Sequence, residues 1–204
     1  MLTLLSIFFF IFIKLLIIKF MFIIKKHYYF YIDSTKSIDL KLIKKNLNIT
    51  IIYRNNSIIE SIDTIIKFRK KLKTRKINFY IANNLRLAKI CKADGLYISA
   101  YNKKFYKYIK VIGSAHNSRE IYEKIKQGCK CIILSRLFKT NYVGKEDFYG
   151  PIKFNLITKK YNINLIPLGG IKNSNLLKLN LLKTKGFAIL SSVKKKPAIT
   201  NRLF

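Results

Sequence analysis

The chain has 204 residues, half of them apolar, and its 41 Lys and Arg against 9 Asp and Glu give a formal net charge of +32. This length and apolar content exclude a disordered chain and favour one domain with its own core, while the even spread of basic residues argues against specific nucleic-acid binding. Three cysteines form no even disulfide framework, so a protein of the reducing cytoplasm is expected. Two histidines are too few for a His-rich metal site.

Residues 1–24 form a hydrophobic N-terminal segment that contains Lys14 and Lys19. The segment is long enough for a membrane anchor, because ~20 apolar residues span a bilayer, although each central lysine opposes insertion by about 2.5–3.5 kcal/mol. As an anchor it would tether the chain to the inner face of the membrane. A second interpretation is that translation starts at Met21. Both stay open, and in both the domain occupies residues 25–204.

From residue 28 onward, short β-rich apolar runs alternate with amphipathic stretches flanked by lysines, a pattern typical of βαβ units. Strands are predicted over residues 28–33, 49–54, 77–82, 95–99, 110–114, 131–135, 163–168 and 186–191. Helices are predicted over 57–72 and 117–127, the second with Asn117 as its N-cap and Glu120 three residues later. This spacing favours an α/β fold, a small (β/α)8 TIM barrel with a short or missing last helix.

A phosphate site is predicted after the last two strands, where barrels of this kind commonly bind phosphate. Gly169 and Gly170 follow the seventh predicted strand, and Ser191 and Ser192 lie at the end of the eighth. Paired glycines let backbone N–H groups approach a phosphate closely, and serine hydroxyls add further donors. The alternative is an ordinary turn between a strand and a helix.

The end of the fifth strand carries the candidate for acid–base chemistry. Ser114 ends this strand, and His116 lies at the barrel mouth just before a predicted helix. The positive end of a helix disfavours an imidazolium, which predicts a neutral imidazole suited to proton transfer, or else a purely structural residue at the helix start. Thr140 lies in a basic loop after the sixth strand that could close over an anion.

Four short motifs occur in order along these elements: ADGLYI at 93–98, GSAH at 113–116, LFKT at 137–140 and LGGI at 168–171. They resemble the ADG(V/I)H, G(V/R)S(A/V)H, (I/V)(Y/F)xT and (I/L)GGI signatures of the thiamine phosphate synthase and TenI family. The resemblance extends from about residue 28 to 193. It implies the barrel fold already indicated by the strand pattern.

The resemblance also implies a reaction that joins a pyrimidine pyrophosphate to a thiazole phosphate. Synthases of the family use magnesium held by aspartates in an ND motif after strand three and a QxD-like motif after strand four. In this chain Asn83 and Asn102 stand at the expected aspartates, and only Arg54 remains of the QxRxK pattern after strand two. Amides are poor substitutes for carboxylates around a hard dication. No metal site is therefore expected, and magnesium would be a cofactor only if synthase activity survives.

The implied ligand is thiazole phosphate, bound by residues of the fifth, seventh and eighth strand ends, with the second substrate facing Arg54 and the loop of Thr140. His116 is a candidate proton shuttle, because the TenI branch includes thiazole tautomerases that work without the metal. A divergent synthase and a metal-independent tautomerase both stay open. The alternatives from other classes are a catalytically degenerate, membrane-tethered protein that binds a phosphate ligand and, ranked lower, an accessory nucleic-acid binder.

Overall fold

The structure is a computed structural model that describes residues 27–43, 47–55, 60–140 and 147–190. Eight parallel strands follow one another around a closed barrel, which β1 closes by pairing with β8. They are β1 (His27–Ile32), β2 (Ile49–Tyr53), β3 (Asn78–Ala82), β4 (Gly95–Ile98), β5 (Val111–Ala115), β6 (Cys131–Ser135), β7 (Asn164–Leu168) and β8 (Gly186–Leu190). The predicted barrel is confirmed, and no strand boundary differs from its predicted position by more than one residue.

The described helices are α1 (Ile62–Thr74), α2 (Leu85–Ile90), α3 (Ser118–Lys126) and α4 (Gly150–Lys159). Short 3-10 segments span Thr35–Ser37 and Leu40–Leu42, and a longer one spans Asn173–Leu181 between β7 and β8. The predicted helix 117–127 is confirmed as α3 with its two caps.

The helix predicted over 57–72 differs at its start. It begins at Ile62, because the hydroxyl of Ser61 accepts a hydrogen bond from the N–H of Thr64 and so caps α1 at that point. No helix of the described residues is long and apolar enough to cross a membrane. The segment 1–24 and the predicted short last helix lie outside the described residues.

Two apolar layers hold the barrel together, since strand side chains alternate between its lumen and its outer surface. The outer layer, beneath the helices, includes Phe30, Ile51 and Phe79. The lumen is filled mainly by aromatic and β-branched side chains: Tyr29, Tyr31, Tyr80, Tyr97, Ile52, Ile112, Ile133, Ile166, Cys131 and Ala188. Because alternate residues of a strand face the same side, the residue two places after the last of these on each strand belongs to the same inward row, at its carboxyl-terminal end.

The ADG motif has a structural role at the amino-terminal end of the barrel, opposite that mouth. Asp94 accepts a hydrogen bond of 2.7 Å from the backbone N–H of Phe79 and forms a 2.7 Å ion pair with Arg69 of α1. A side chain at Gly95 would place its Cβ 2.5 Å from the carbonyl oxygen of Lys110. The motif therefore fixes the start of β4 against its neighbours and supplies no group to the mouth.

Candidate active site

Two predicted site residues lie on the inward-facing rows that lead to the mouth. Arg54 follows Ile52 by two residues and Ser114 follows Ile112 by two, and both isoleucines face the lumen. Ser114 is 9% exposed, whereas Arg54 is exposed to solvent. Burial raises the pKa of Tyr31 in the lumen, and the positive charge of Arg54 partly opposes that rise. Arg54 is thus placed at the carboxyl-terminal end of the lumen-facing row of β2, and its role in binding stays a prediction.

The LGGI and LFKT motifs meet at the mouth between β6 and β7. The N–H of Leu137 donates to the carbonyl of Leu168 at 2.9 Å, and the N–H of Phe138 donates to Gly169 at 3.1 Å. Gly169 and Gly170 have φ angles of +99° and +68°, and a Cβ on Gly170 would lie 2.4 Å from the carbonyl oxygen of Phe138. This close approach requires glycine.

The turn after β7 also leaves main-chain donors available. Among the described residues, no acceptor takes the N–H of Gly170 or Ile171. Unpaired N–H groups at a strand end can bind an anion such as a phosphate oxygen. Ser191 and Ser192 lie outside the described residues, so their role at this turn stays a prediction.

Arg136, directly after β6, was not predicted from the sequence. Its Nη1 donates to the hydroxyl of Thr140 at 3.3 Å, and its Cγ lies 3.1 Å from the position that a Cβ on Gly169 would take. A guanidinium group thus lies beside the glycine turn, where it suits a phosphate better than an ammonium group does. The available signal was a charged residue immediately after a strand that is apolar except for its last residue, Ser135, and the abundance of basic residues obscured this signal.

His116 lies at the mouth and is paired with Glu120 of α3. Its Nδ1 is 3.0 Å from Glu120 Oε2, which also accepts the His116 backbone N–H at 2.6 Å. An ionised carboxylate can only accept, so Nδ1 carries a hydrogen and Nε2 is left for a ligand. The sequence-based prediction considered the helix end alone and did not include this contact with Glu120. The imidazole side chain is 48% exposed.

Asn83 and Asn102 form a hydrogen-bonded bridge between the ends of β3 and β4. Asn102 Nδ2 donates to Asn83 Oδ1 at 3.1 Å, and the N–H of Ser99 donates to the same oxygen at 3.0 Å. Asn102 Oδ1 in turn accepts the N–H of Lys104 at 2.9 Å. Both amide oxygens are therefore already engaged within the protein.

The residues at this position do not fit magnesium. Asn83 was predicted at the aspartate of the ND motif, but the carboxylate of that motif is its second residue, which is Asn84 in this chain. The Oδ1 of Asn84 caps α2 by accepting the N–H of Leu87 at 2.9 Å. Magnesium is usually bound through one or two carboxylates, and the three asparagines provide none. Among the described residues, no group of three or more His, Cys, Asp or Glu could hold a metal ion.

Comparison with known proteins extends the argument to most of the chain. A family model described as thiamine monophosphate synthase matches residues 22–193. A thiamine-phosphate synthase of Prochlorococcus marinus subsp. pastoris is 30% identical over 135 residues, which cover 63% of this chain and 38% of that protein. A thiamine-phosphate synthase of Dictyoglomus turgidum is 24% identical over 183 residues, which cover 76% of this chain and 79% of that protein.

A solved structure shares the fold. Thiamine phosphate pyrophosphorylase from Pyrococcus furiosus has a TM-score of 0.70 at 16% sequence identity, with 89% of this chain and 93% of that chain covered. The matched stretch spans well under half the length of the Prochlorococcus proteins, at 38%, 35% and 35%. The family match nevertheless covers most of this chain and includes all four motifs of the barrel. The chain therefore belongs to the thiamine monophosphate synthase family.

Proposed function

We propose that this protein is an enzyme of thiamine biosynthesis that binds a thiazole phosphate at the barrel mouth and moves a proton on it without a divalent metal. The observation that carries the proposal is the Asn83–Asn102 bridge beside the His116–Glu120 pair. The first, with Asn84 next to it, offers amide groups and no carboxylate for a magnesium-assisted departure of pyrophosphate. The second retains the parts of an acid–base catalyst. A thiazole tautomerase of the TenI type fits this combination.

The phosphate of the ligand would bind at the turn after β7. The backbone N–H groups of Gly170 and Ile171 provide neutral donors, and the guanidinium of Arg136 provides the charge. The hydroxyls of Ser191 and Ser192 would complete this set. Such a site depends mainly on main-chain groups, so it tolerates the divergence seen elsewhere in the chain.

The remaining part of the ligand would lie over the lumen. Ser114 and Arg54 lie on its rim, and the hydroxyl of Tyr31 is buried below them. These groups would orient the ring relative to His116.

The proton transfer itself would use Nε2 of His116. This nitrogen would take a proton from one atom of the thiazole and return it to another, so that the reaction is a net isomerisation. Glu120 accepts the hydrogen on Nδ1 and would stabilise the imidazolium formed between the two transfers. The half-exposed position of the ring lets it reach a ligand at the mouth.

A second candidate is a divergent synthase, which the names of the related proteins favour, since they are thiamine-phosphate synthases. In that case Arg54 would face the pyrimidine pyrophosphate. A protein that only binds the phosphate ligand is the third candidate, because the sequence departs from the family at the metal positions.

One experiment with the full chain separates the three candidates. The protein is incubated with a non-aromatic thiazole phosphate tautomer alone, and with thiazole phosphate plus pyrimidine pyrophosphate, each with magnesium or with EDTA. We expect isomerisation, followed by NMR, that EDTA leaves unchanged, and no thiamine phosphate by mass spectrometry. Magnesium-dependent formation of thiamine phosphate would establish the synthase instead. If neither product forms and the ligand raises the melting temperature, the result would indicate a binding protein.

A further inference from the structure

Lys124 of α3 is fully buried, at 0% exposure, and no other lysine of the described chain is buried. Burying an ammonium group is costly unless its hydrogens are bonded. Its side chain passes over Gly113 of β5, where an added Cβ would lie 3.0 Å from both Cγ and Cδ of the lysine. The glycine of the GSAH motif thus leaves the space that this side chain occupies.

The head group of Lys124 is directed at the segment between β4 and β5. Its Nζ donates to the carbonyl oxygen of Asn102 at 2.7 Å and to Oε1 of Gln127 at 2.9 Å. Gln127 is also buried, and its Nε2 donates to the carbonyl oxygens of Asn102 and Lys104 at 3.0 and 2.9 Å. Two side chains of one helix end therefore hold two carbonyl groups of the same loop.

The same loop carries the asparagine bridge. The carbonyl of Asn102 accepts hydrogen bonds from the side chains of α3, while the amide of its side chain donates to Asn83 at the end of the neighbouring strand β3. The path of hydrogen bonds thus runs from α3 through the loop to the end of β3. It connects loops that, in a metal-dependent relative, a bound ion would connect through carboxylates.

We infer that Lys124, together with Gln127, is a positioning residue that fixes the loop after β4 so that Asn102 bridges to Asn83 without a metal ion. The ammonium charge acts inside the protein on carbonyl dipoles and touches no ligand. This inference concerns the loop alone and does not depend on the reaction proposed above.

The test is hydrogen exchange, measured by NMR on the full chain, in Lys124→Met, which keeps the length of the side chain and removes its donors. The reporters are the N–H groups of Ser99 and Lys104, because each donates to a side-chain oxygen of the bridge. We expect both amides to exchange about tenfold faster, as the net free energy of one lost hydrogen bond predicts. The exchange rate of the Ile166 amide in β7 should stay unchanged. A role in global stability alone would instead change all three alike.

Lys126→Met is the matched control, since Lys126 lies on the same helix, is exposed, and has its ammonium group 4.6 Å from the centroid of the Tyr122 ring. It should leave all the reporters unchanged. If Lys124→Met does not fold, Gln127→Met removes the other donor to the loop and should accelerate exchange at Lys104 and Ser99 by a few-fold. The inference would be overturned if a folded Lys124→Met or Gln127→Met protein exchanged these two amides at the same rate as Lys126→Met does.

Discussion

The two sides of the barrel mouth have diverged to different degrees from the family pattern. Between β6 and β7, the LFKT and LGGI motifs meet through backbone hydrogen bonds, and the available donors are main-chain N–H groups of Gly170 and Ile171. Between β3 and β4, the expected carboxylates are absent, and asparagines hydrogen-bond to each other. A site made of backbone depends on the fold and on glycine, whereas a site made of side chains changes with single substitutions. Family membership therefore supports an anion site more strongly than it supports metal-dependent chemistry.

The largest effect is expected at His116, which lies between the two sides. If proton transfer is the reaction, His116→Ala should lower the turnover of a thiazole phosphate tautomer by ~10²- to 10⁴-fold and leave its affinity nearly unchanged. Steady-state kinetics together with calorimetric binding would measure both. Glu120→Gln keeps an oxygen that can accept the Nδ1 hydrogen and removes the charge, so a smaller loss, about tenfold, is expected. An isomerase unaffected by His116→Ala would disprove the proposed role of the imidazole.

The next largest effect tests whether the side of the mouth between β6 and β7 depends on glycine. A Cβ at Gly170 would collide with the carbonyl of Phe138, and its φ of +68° is unfavourable for alanine. We expect Gly170→Ala to cost about 2–5 kcal/mol of folding free energy, by strain and overpacking. It should also abolish the increase in melting temperature that we expect thiazole phosphate to produce in the wild-type protein. Gly170→Asp, which would also add a charge, should behave in the same way.

Gly128→Ala is the control for this test, because Gly128 has a similar φ of +73° but no neighbour within 4 Å of an added Cβ. It should cost only about 1 kcal/mol and retain the full response to ligand. Differential scanning fluorimetry with and without thiazole phosphate compares the two variants. A normal ligand response in a folded Gly170→Ala protein would place the anion elsewhere.

Most of the fold was predictable, because each strand is an apolar run bounded by polar residues, and Asn117 marks the start of α3. The 3-10 segment Asn173–Leu181 was not predicted, since its leucines and asparagines follow no helical period. Within the site, Gly170 and His116 could be located from their motifs.

Arg136 and Lys124 could not be located from the sequence, because a single basic residue carries little information in a chain with 41 of them. The signal for Lys124 was its place three residues after buried Ile121, on the same face of α3. The substitution of carboxylates by asparagine was evident from the sequence. The bridge that these asparagines form was not, since it depends on the left-handed conformation of Asn83, whose φ is +54°.

The smallest expected effect comes from placing a carboxylate at each end of the asparagine bridge. In Asn83→Asp/Asn102→Asp the 3.1 Å hydrogen bond between the two side chains would be replaced by two like charges at close range. Without metal, this repulsion and the lost bond should cost about 1–3 kcal/mol, and hence lower the melting temperature by a few degrees. Asp tolerates the left-handed backbone of Asn83, so strain adds little. Millimolar magnesium should then restore part of the loss, because an ion between two carboxylates is bound only by the folded state. The wild-type protein, measured in parallel, should show no specific response to magnesium. A wild-type response as large as that of the double variant would show that the metal side of the mouth has not diverged in function.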